Sequence, residues 1–203
     1  MLVALGSFTL AAGLLVPLPG PVTVVILRSI VRGGRRRGVA TVLGIQTGLL
    51  LWITVTVLGL AALLRATEVA YTVLRIVGAA YLVWLGAQSL LVRGARLDAR
   101  QSGHSPLGGT GYWAGLLSNV LNPKVGVFFV TFLPAFVPSG AAAVPTLLLF
   151  GAVFIALNLA YQLPLVLLAE RVTRLVSRSR VRRAMDVVTG TVLVGFGIRL
   201  ATE

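Results

Sequence analysis

One lysine lies in the middle of a strongly apolar part of the sequence. Lys124 is about a dozen residues into the segment Tyr112–Val137, near the centre of a bilayer for a helix that rises about 1.5 Å per residue. A charge at that depth costs at least about 2.5–3.5 kcal/mol and by default indicates a functional role. We expect Lys124 to bind a substrate carboxylate. The alternatives are a hydrogen bond to a free carbonyl beside Pro123 and snorkelling to the interface.

Amide side chains accompany this lysine and recur in two other apolar segments. Ser118, Asn119 and Asn122 lie at helical spacings of three and four residues, from which we expect them to face the same cavity as the lysine. Gln46 lies in the second apolar segment, and Asn158 and Gln162 lie four residues apart in the fifth. These last three side chains predict either substrate binding or hydrogen bonds between helices.

Prolines interrupt two segments that would otherwise form continuous helices. Pro19, Gly20 and Pro21 lie in the first apolar segment, and Pro123 lies in the fourth. A proline in mid-helix removes an amide donor and frees the carbonyl four residues earlier, which for Pro19 is that of Leu15. Inside a membrane such backbone must be buried in protein or line a wet cavity. The two breaks therefore predict a substrate site near the midplane, with a plain proline kink as the alternative for each.

One acidic residue begins a helix from within an apolar segment. Asp186 predicts either a proton-coupling site or an ion pair with Arg182 or Arg183. Its carboxylate would also be favourable at a helix N-terminus. Coupling and structural roles both stay open at this point.

Several classes of site are excluded by what the sequence lacks. There is no cysteine, which excludes disulfides and thiolate metal sites, and the only histidine, His104, lies in a polar loop. No glycine-rich phosphate loop is present, which argues against ATP hydrolysis. No serine has an intramembrane histidine or paired aspartates, so an intramembrane hydrolase ranks last. We expect neither an enzyme nor a cofactor or metal.

Composition and charge predict a polytopic membrane protein. The chain has 203 residues, is 57% hydrophobic and only 11% charged. The apolar segments are Leu2–Leu27, Gly38–Leu64, Tyr71–Val92, Tyr112–Val137, Ala143–Ala169 and Met185–Ala201. Three connections, Arg28–Arg37, Arg93–Gly111 and Glu170–Arg183, hold 14 of the 18 basic residues. Arginines near spans stay in the cytoplasm, so both termini are expected outside and nucleic acid is not an expected partner.

The two halves of the sequence show signs of an inverted repeat. "GLLVPLPGP" (Gly13–Pro21) aligns with "GLLSNVLNP" (Gly115–Pro123), and "GAAYLVWLG" (Gly78–Gly86) aligns more loosely with "TGTVLVGFG" (Thr189–Gly197). Three helices followed by three helices place such halves in opposite orientations. The predicted fold is all-α, with six transmembrane helices as two inverted three-helix repeats and helices 1 and 4 broken near the midplane.

Three motifs resemble the LysE/RhtB family of amino-acid exporters. The resemblance covers "PGPVTVVILRSIVRGGRRRGVATVLGIQTG" (Pro19–Gly48), "LRIVGAAYLVWLGAQSL" (Leu74–Leu90) and "GLLSNVLNPKVGVFFVTFLPAF" (Gly115–Phe136), in order and spacing. It implies a six-helix inner-membrane exporter of amino acids or their derivatives. Leu49 follows the Gly-x-x-x-Gly of the second segment, where many members carry an acidic residue, and this departure argues against a cationic substrate.

Together these features predict one transporter domain, residues 1–203, with repeats at about 1–92 and 112–203. The expected function is secondary-active export of an amino acid or derivative across the plasma membrane. The expected partners are that small molecule, a coupling ion such as the proton, the lipid bilayer and a second copy in a homodimer. The alternative is a small membrane channel or a non-transporting assembly factor.

Overall fold

The computed structural model describes residues 1–18, 20–63, 68–91, 109–168 and 179–202. Pro19 lies outside the described residues, as do most of the two basic connections Arg93–Gly111 and Glu170–Arg183. The helices, numbered in chain order, are α1 (Leu2–Leu15), α2 (Pro21–Leu63), α3 (Glu68–Leu91), α4 (Tyr112–Val120), α5 (Pro123–Val127), α6 (Leu133–Ala135), α7 (Ala143–Leu167) and α8 (Ser179–Thr202). A π-helical turn, Phe128–Phe132, joins α5 to α6. The described ranges contain no strand.

Helix breaks occur at both proline-containing stretches. α1 ends at Leu15 and α2 begins at Pro21, so the first apolar segment consists of two helices. α4 ends at Val120 and α5 begins at Pro123, and the two helical stretches on either side of this break are bent by 54°. Proline suits the first position of a helix because its missing N–H would have no partner there. Each break is therefore a helix restart at a proline.

The first basic stretch is a tight turn rather than an open connection. α2 continues helically through Arg28–Arg37 except at Gly33 and Gly34, whose backbone angles are non-helical. Gly34 has φ of 69° and ψ of −171°, a backbone conformation that residues with a side chain rarely adopt. The turn divides α2 into residues 21–32 and 35–63, so the two helices extend into the basic stretch beyond the apolar segments that end at Leu27 and begin at Gly38.

Glycines bring helix backbones into direct contact. A Cβ on Gly44 would collide with the backbone carbonyl of Tyr112, and one on Gly115 would collide with that of Thr41. These positions join α2 to α4, and α2 also packs on α7 while α3 packs on α8. Small residues allow such approach between membrane helices, where van der Waals contact drives association.

Two apolar clusters lie on either side of the helix breaks. The larger contains stacked phenylalanines, including Phe8 and Phe150 with ring centroids 4.6 Å apart and Phe128 and Phe154 at 4.9 Å. The smaller cluster consists of Ile26, Val42, Ile45, Leu165 and Val166. Its members come from the half of each span that adjoins the basic connections.

Length and composition identify the clearest membrane spans among the described residues. Pro21–Gly59 and Ala143–Leu167 are each long and apolar enough to cross a membrane. The bent pair Tyr112–Val120 and Pro123–Ala135 forms a third span if its two helices are counted as a single membrane crossing. Shorter apolar helices occur at Leu2–Leu15, Ile76–Gln88 and Val187–Arg199. The protein is therefore an all-helical membrane protein, while the six-helix inverted repeat and the single domain remain predictions.

Candidate functional site

The two helix breaks meet at one cavity. The space open to the centres of water-sized molecules is about 60 Å³. The polar residues that line it are Thr23, Asn119, Asn122, Lys124, Asn158, Tyr161 and Gln162. The remaining lining residues are Leu15, Val16, Leu18, Gly20, Val22, Leu49, Val125, Phe128 and Phe154. Among the described residues of this lining none is acidic, and Lys124 is the one charged residue.

Lys124 is positioned by the start of α5. Asn122 has an extended backbone and its Oδ1 accepts a hydrogen bond of 3.1 Å from the Lys124 backbone N–H, which caps the helix. The half-buried lysine side chain then reaches across to the first break. Its Nζ donates to the backbone carbonyl of Leu15 over 3.4 Å.

The Leu15 carbonyl is one of those that the first break sets free. It lies at the C-terminal end of α1, where unpaired carbonyls carry partial negative charge and attract cations. The Leu18 N–H also donates to it over 3.3 Å. In this structure Lys124 therefore contacts a backbone carbonyl, the type of partner that we considered as an alternative to a substrate carboxylate. The carbonyl belongs to the first break, however, and not to Pro123.

Asn119 presents an amide to the cavity from the last turn of α4. The residue is 2% exposed, and its Oδ1 is buried without a hydrogen-bond partner in the described part of the chain. A buried polar atom without a partner costs about 1–3 kcal/mol. This amide is therefore available to a ligand, at a cost to the folded protein.

A directional chain of amides connects α2 with α7. Gln46 Nε2 donates to Gln162 Oε1 over 3.0 Å, and Gln162 Nε2 donates to Asn158 Oδ1 over 3.2 Å. Asn158 Nδ2 in turn donates to the Phe154 carbonyl over 3.0 Å. These hydrogen bonds hold Asn158 and Gln162 at the cavity wall. The two roles considered for these side chains, bonding between helices and contact with a ligand, are therefore compatible.

The structure brings most of the sequence-predicted site residues together. Gly20, Asn119, Asn122, Lys124, Asn158 and Gln162 line the cavity. Gln46 supports it from behind through Gln162. Pro21 and Pro123 begin their helices with exposed rings outside the lining, so they shape the site without facing it. Pro19 and the side chain of Asp186 lie outside the described residues.

Two hydroxyl groups of the cavity wall were not predicted from the sequence as part of the site. A hydrogen bond of 3.4 Å joins the hydroxyls of Thr23 and Tyr161. It links the first turn of α2 to α7, on the side of the cavity nearer the smaller apolar cluster. Tyr161 lies three residues after Asn158, one helical turn along the same face, and this spacing was the available signal.

This arrangement offers groups that can bind a small molecule. One ammonium, several amides and the carbonyl end of α1 face an otherwise apolar wall. Among the described residues no group of three histidine, cysteine or acidic side chains could hold a metal ion. A carboxylate would pair with Lys124, because a charge-assisted hydrogen bond is roughly twice as strong as a neutral one.

Comparison with known proteins identifies the family. The family model for LysE type translocators matches residues 13–203. The chain belongs to the LysE family. Members of the LysE family are transporters, so this chain is a transporter and not an enzyme.

Individual relatives cover nearly the whole length of this LysE-family chain. An uncharacterized membrane protein YrhP of Bacillus subtilis is 29% identical, with 93% of each chain covered. The homoserine/homoserine lactone efflux protein of Salmonella typhimurium is 26% identical over 97% of this chain and 95% of its own. The leucine efflux protein of Enterobacter sp. is 28% identical over 97% and 94%. No solved structure matches the chain.

Proposed function

We propose that this LysE-family protein is a secondary-active exporter that moves an amino acid or amino-acid derivative out across the plasma membrane. The proposed coupling ion is a proton, with Asp186 as the candidate coupling residue. Similarity to the homoserine/homoserine lactone and leucine efflux proteins over nearly the full length supports an amino-acid substrate. The cavity at the two helix breaks carries the proposal, because broken helices hold substrate in many secondary transporters.

The cavity lining favours a substrate with a neutral side chain. Lys124 offers a partner for a carboxylate, whereas no acidic lining residue offers one for a second ammonium. Leu49, at the position where many family members carry an acidic residue, is 1% exposed and lies in the cavity wall. Apolar side chains such as Phe128 and Phe154 would contact an aliphatic substrate side chain.

The proposed inverted repeat is supported by the contact between α3 and α8. A Cβ on Gly197 would lie 2.8 Å from the carbonyl oxygen of Ala79, and one on Gly190 would lie 2.8 Å from that of Gly86. The sequence alignment of Gly78–Gly86 with Thr189–Gly197 pairs Ala79 with Gly190 and Gly86 with Gly197. When each residue is replaced by its aligned partner, the contact between Ala79 and Gly197 becomes the contact between Gly190 and Gly86. A two-fold axis between the repeats requires this equivalence.

Counterflow in proteoliposomes tests the proposed function. Liposomes loaded with unlabelled leucine or homoserine should accumulate the labelled amino acid transiently, because a carrier exchanges substrate across the membrane. Protein-free liposomes and an excess of unlabelled substrate outside are the controls. A channel would equilibrate the label without trans-stimulation, and an assembly factor would show no protein-dependent flux. Either result would contradict the proposal.

The proposed orientation places both termini outside and the basic connections in the cytoplasm. The absence of cysteine allows single reporters at exposed positions, namely Ser139→Cys between α6 and α7 and Gly109→Cys before α4. An impermeant thiol reagent should label Ser139→Cys in intact cells and Gly109→Cys only after the membrane is permeabilised. Labelling of Gly109→Cys from outside intact cells would reverse the orientation.

A further inference from the structure

Gly48 differs from the neighbouring glycines in what its missing side chain accommodates. A Cβ on Gly48 would lie 2.7 Å from Oδ1, 2.9 Å from Cβ and 3.0 Å from Cγ of a single residue, Asn119. At Gly44 and Gly115 the nearest atoms belong to the backbone of the opposite helix. Those two glycines allow helix backbones to approach, whereas Gly48 makes room for one side chain.

The side chain that Gly48 accommodates carries an amide oxygen without a hydrogen-bond partner among the described residues. Asn119 is 2% exposed, lines the cavity and has a buried Oδ1 without a hydrogen-bond partner among the described residues. A leucine of similar size would fill the same volume without leaving a polar atom unpaired. Packing therefore does not explain the asparagine, and its place in the cavity wall indicates contact with a ligand.

We propose that Gly48 is a positioning residue of the transport site. Because Gly48 has no side chain, the Asn119 amide stays in the cavity wall, and this amide hydrogen-bonds the polar head of the substrate. This role rests on the proposed function. Lys124, from the other side of the α4–α5 break, binds the carboxylate of the same head group. Gly48 and Leu49 then act in different ways, since Gly48 positions an amide and Leu49 supplies apolar wall.

An added methyl group at position 48 should weaken substrate binding. In Gly48→Ala the Asn119 side chain has to leave its position, because two of the three overlaps involve its Oδ1 and Cγ. Loss of one neutral hydrogen bond should raise the KM of counterflow for leucine and homoserine about threefold to tenfold, with a smaller change in maximal rate. A merely structural defect would instead lower the amount of active protein and hence the maximal rate.

Gly59→Ala is the matched control on the same helix. Gly59 is exposed and a Cβ there would meet nothing within 4 Å, so its KM and thermal midpoint should equal those of the wild type. Asn119→Ala removes both overlapping amide atoms and keeps the Cβ, whose 2.9 Å distance from an added Cβ at position 48 still requires a small shift. The KM of the double variant Gly48→Ala/Asn119→Ala should therefore exceed that of Asn119→Ala by less than about twofold. If the two substitutions acted independently, their increases in KM would multiply.

The outcomes separate this role from the proposed function. If the wild-type protein shows counterflow and Gly48→Ala has a normal KM, the positioning role is refuted while the proposed function stands. The same holds if the KM increases of the two single variants multiply in the double variant. If Gly48→Ala does not fold but the double variant does, and has the KM of Asn119→Ala, the role is supported. Failure of both to fold would assign Gly48 to backbone approach instead. A wild-type protein that transports neither probe would refute the proposed function and, with it, this role.

Discussion

Lys124→Met should reduce export of a neutral amino acid by about a hundredfold, because truncating one partner of a buried charged pair costs roughly 2–5 kcal/mol. Methionine keeps the side-chain length and removes the one charge that the described residues bring to the cavity lining. The folded protein should not suffer, since a buried cation is expensive in a membrane. The Leu15 carbonyl also keeps its second donor, the Leu18 N–H at 3.3 Å. The measurement is counterflow rate normalised to protein inserted in the membrane.

The choice of substrate makes this test specific for carboxylate recognition. Leucinamide carries the amino group and side chain of leucine without the carboxylate, so any wild-type flux of leucinamide should be largely retained in Lys124→Met. Lys124→Arg should recover only part of leucine transport, because a planar guanidinium does not replace a compact ammonium. Equal loss of leucine and leucinamide transport, or loss of neither, would show that Lys124 serves the packing of the two breaks.

The positions of the helix breaks were predictable from the sequence because the signals are local. Proline lacks an amide donor wherever it lies, which favours a helix restart at Pro21 and Pro123, although Pro164 lies inside α7 without ending that helix. The depth of Lys124 also follows from counting residues along an apolar segment. Its carboxylate-binding role stays a prediction, since the contact present in this structure is with the Leu15 carbonyl.

The partners of these groups were not predictable, because they depend on contacts between distant parts of the chain. Lys124 reaches Leu15, 109 residues away, and Gln46 reaches Gln162, 116 residues away. The contact of Gly48 with Asn119 was likewise not predictable, since only the relative register of α2 and α4 brings the two residues together. Local spacing identifies polar residues, whereas helix packing determines which of them meet.

The cavity is small for a substrate that has to pass through the protein. The volume open to the centres of water molecules is about 60 Å³, room for about four to six waters, so a bulkier substrate would require the cavity walls to move apart. The α4–α5 break is one site where this movement can begin, because it bends the chain by 54° without helical hydrogen bonds across Asn122 and Pro123. The break would then serve transport both by placing Lys124 and by allowing the wall to move.

Pro123→Ala should therefore reduce counterflow at least about tenfold, a loss equivalent to about 1.4 kcal/mol, without reducing the amount of folded protein. Proline disfavours helical backbone at the residue before it, and Asn122 accordingly has φ of −83° and ψ of 106°. Alanine removes this restriction and restores an N–H, so α4 and α5 can join into one helix. Residue 124 would then rotate away from the Leu15 carbonyl and the cavity.

The thermal midpoint distinguishes this mechanism from simple damage. A joined helix gains backbone hydrogen bonds, so Pro123→Ala should unfold at the same temperature as the wild type or higher, while transport falls. Pro21→Ala, at the first residue of α2, should also lower transport more than it lowers the amount of folded protein, but without a gain of helical hydrogen bonds, because Pro17 and Pro19 still interrupt the chain between α1 and α2. Pro145→Ala is the matched control, because Pro145 is exposed in the first turn of α7 and outside the cavity lining. Transport by Pro123→Ala within about twofold of the Pro145→Ala control would show that the break is an ordinary kink and that Lys124 is held by other contacts.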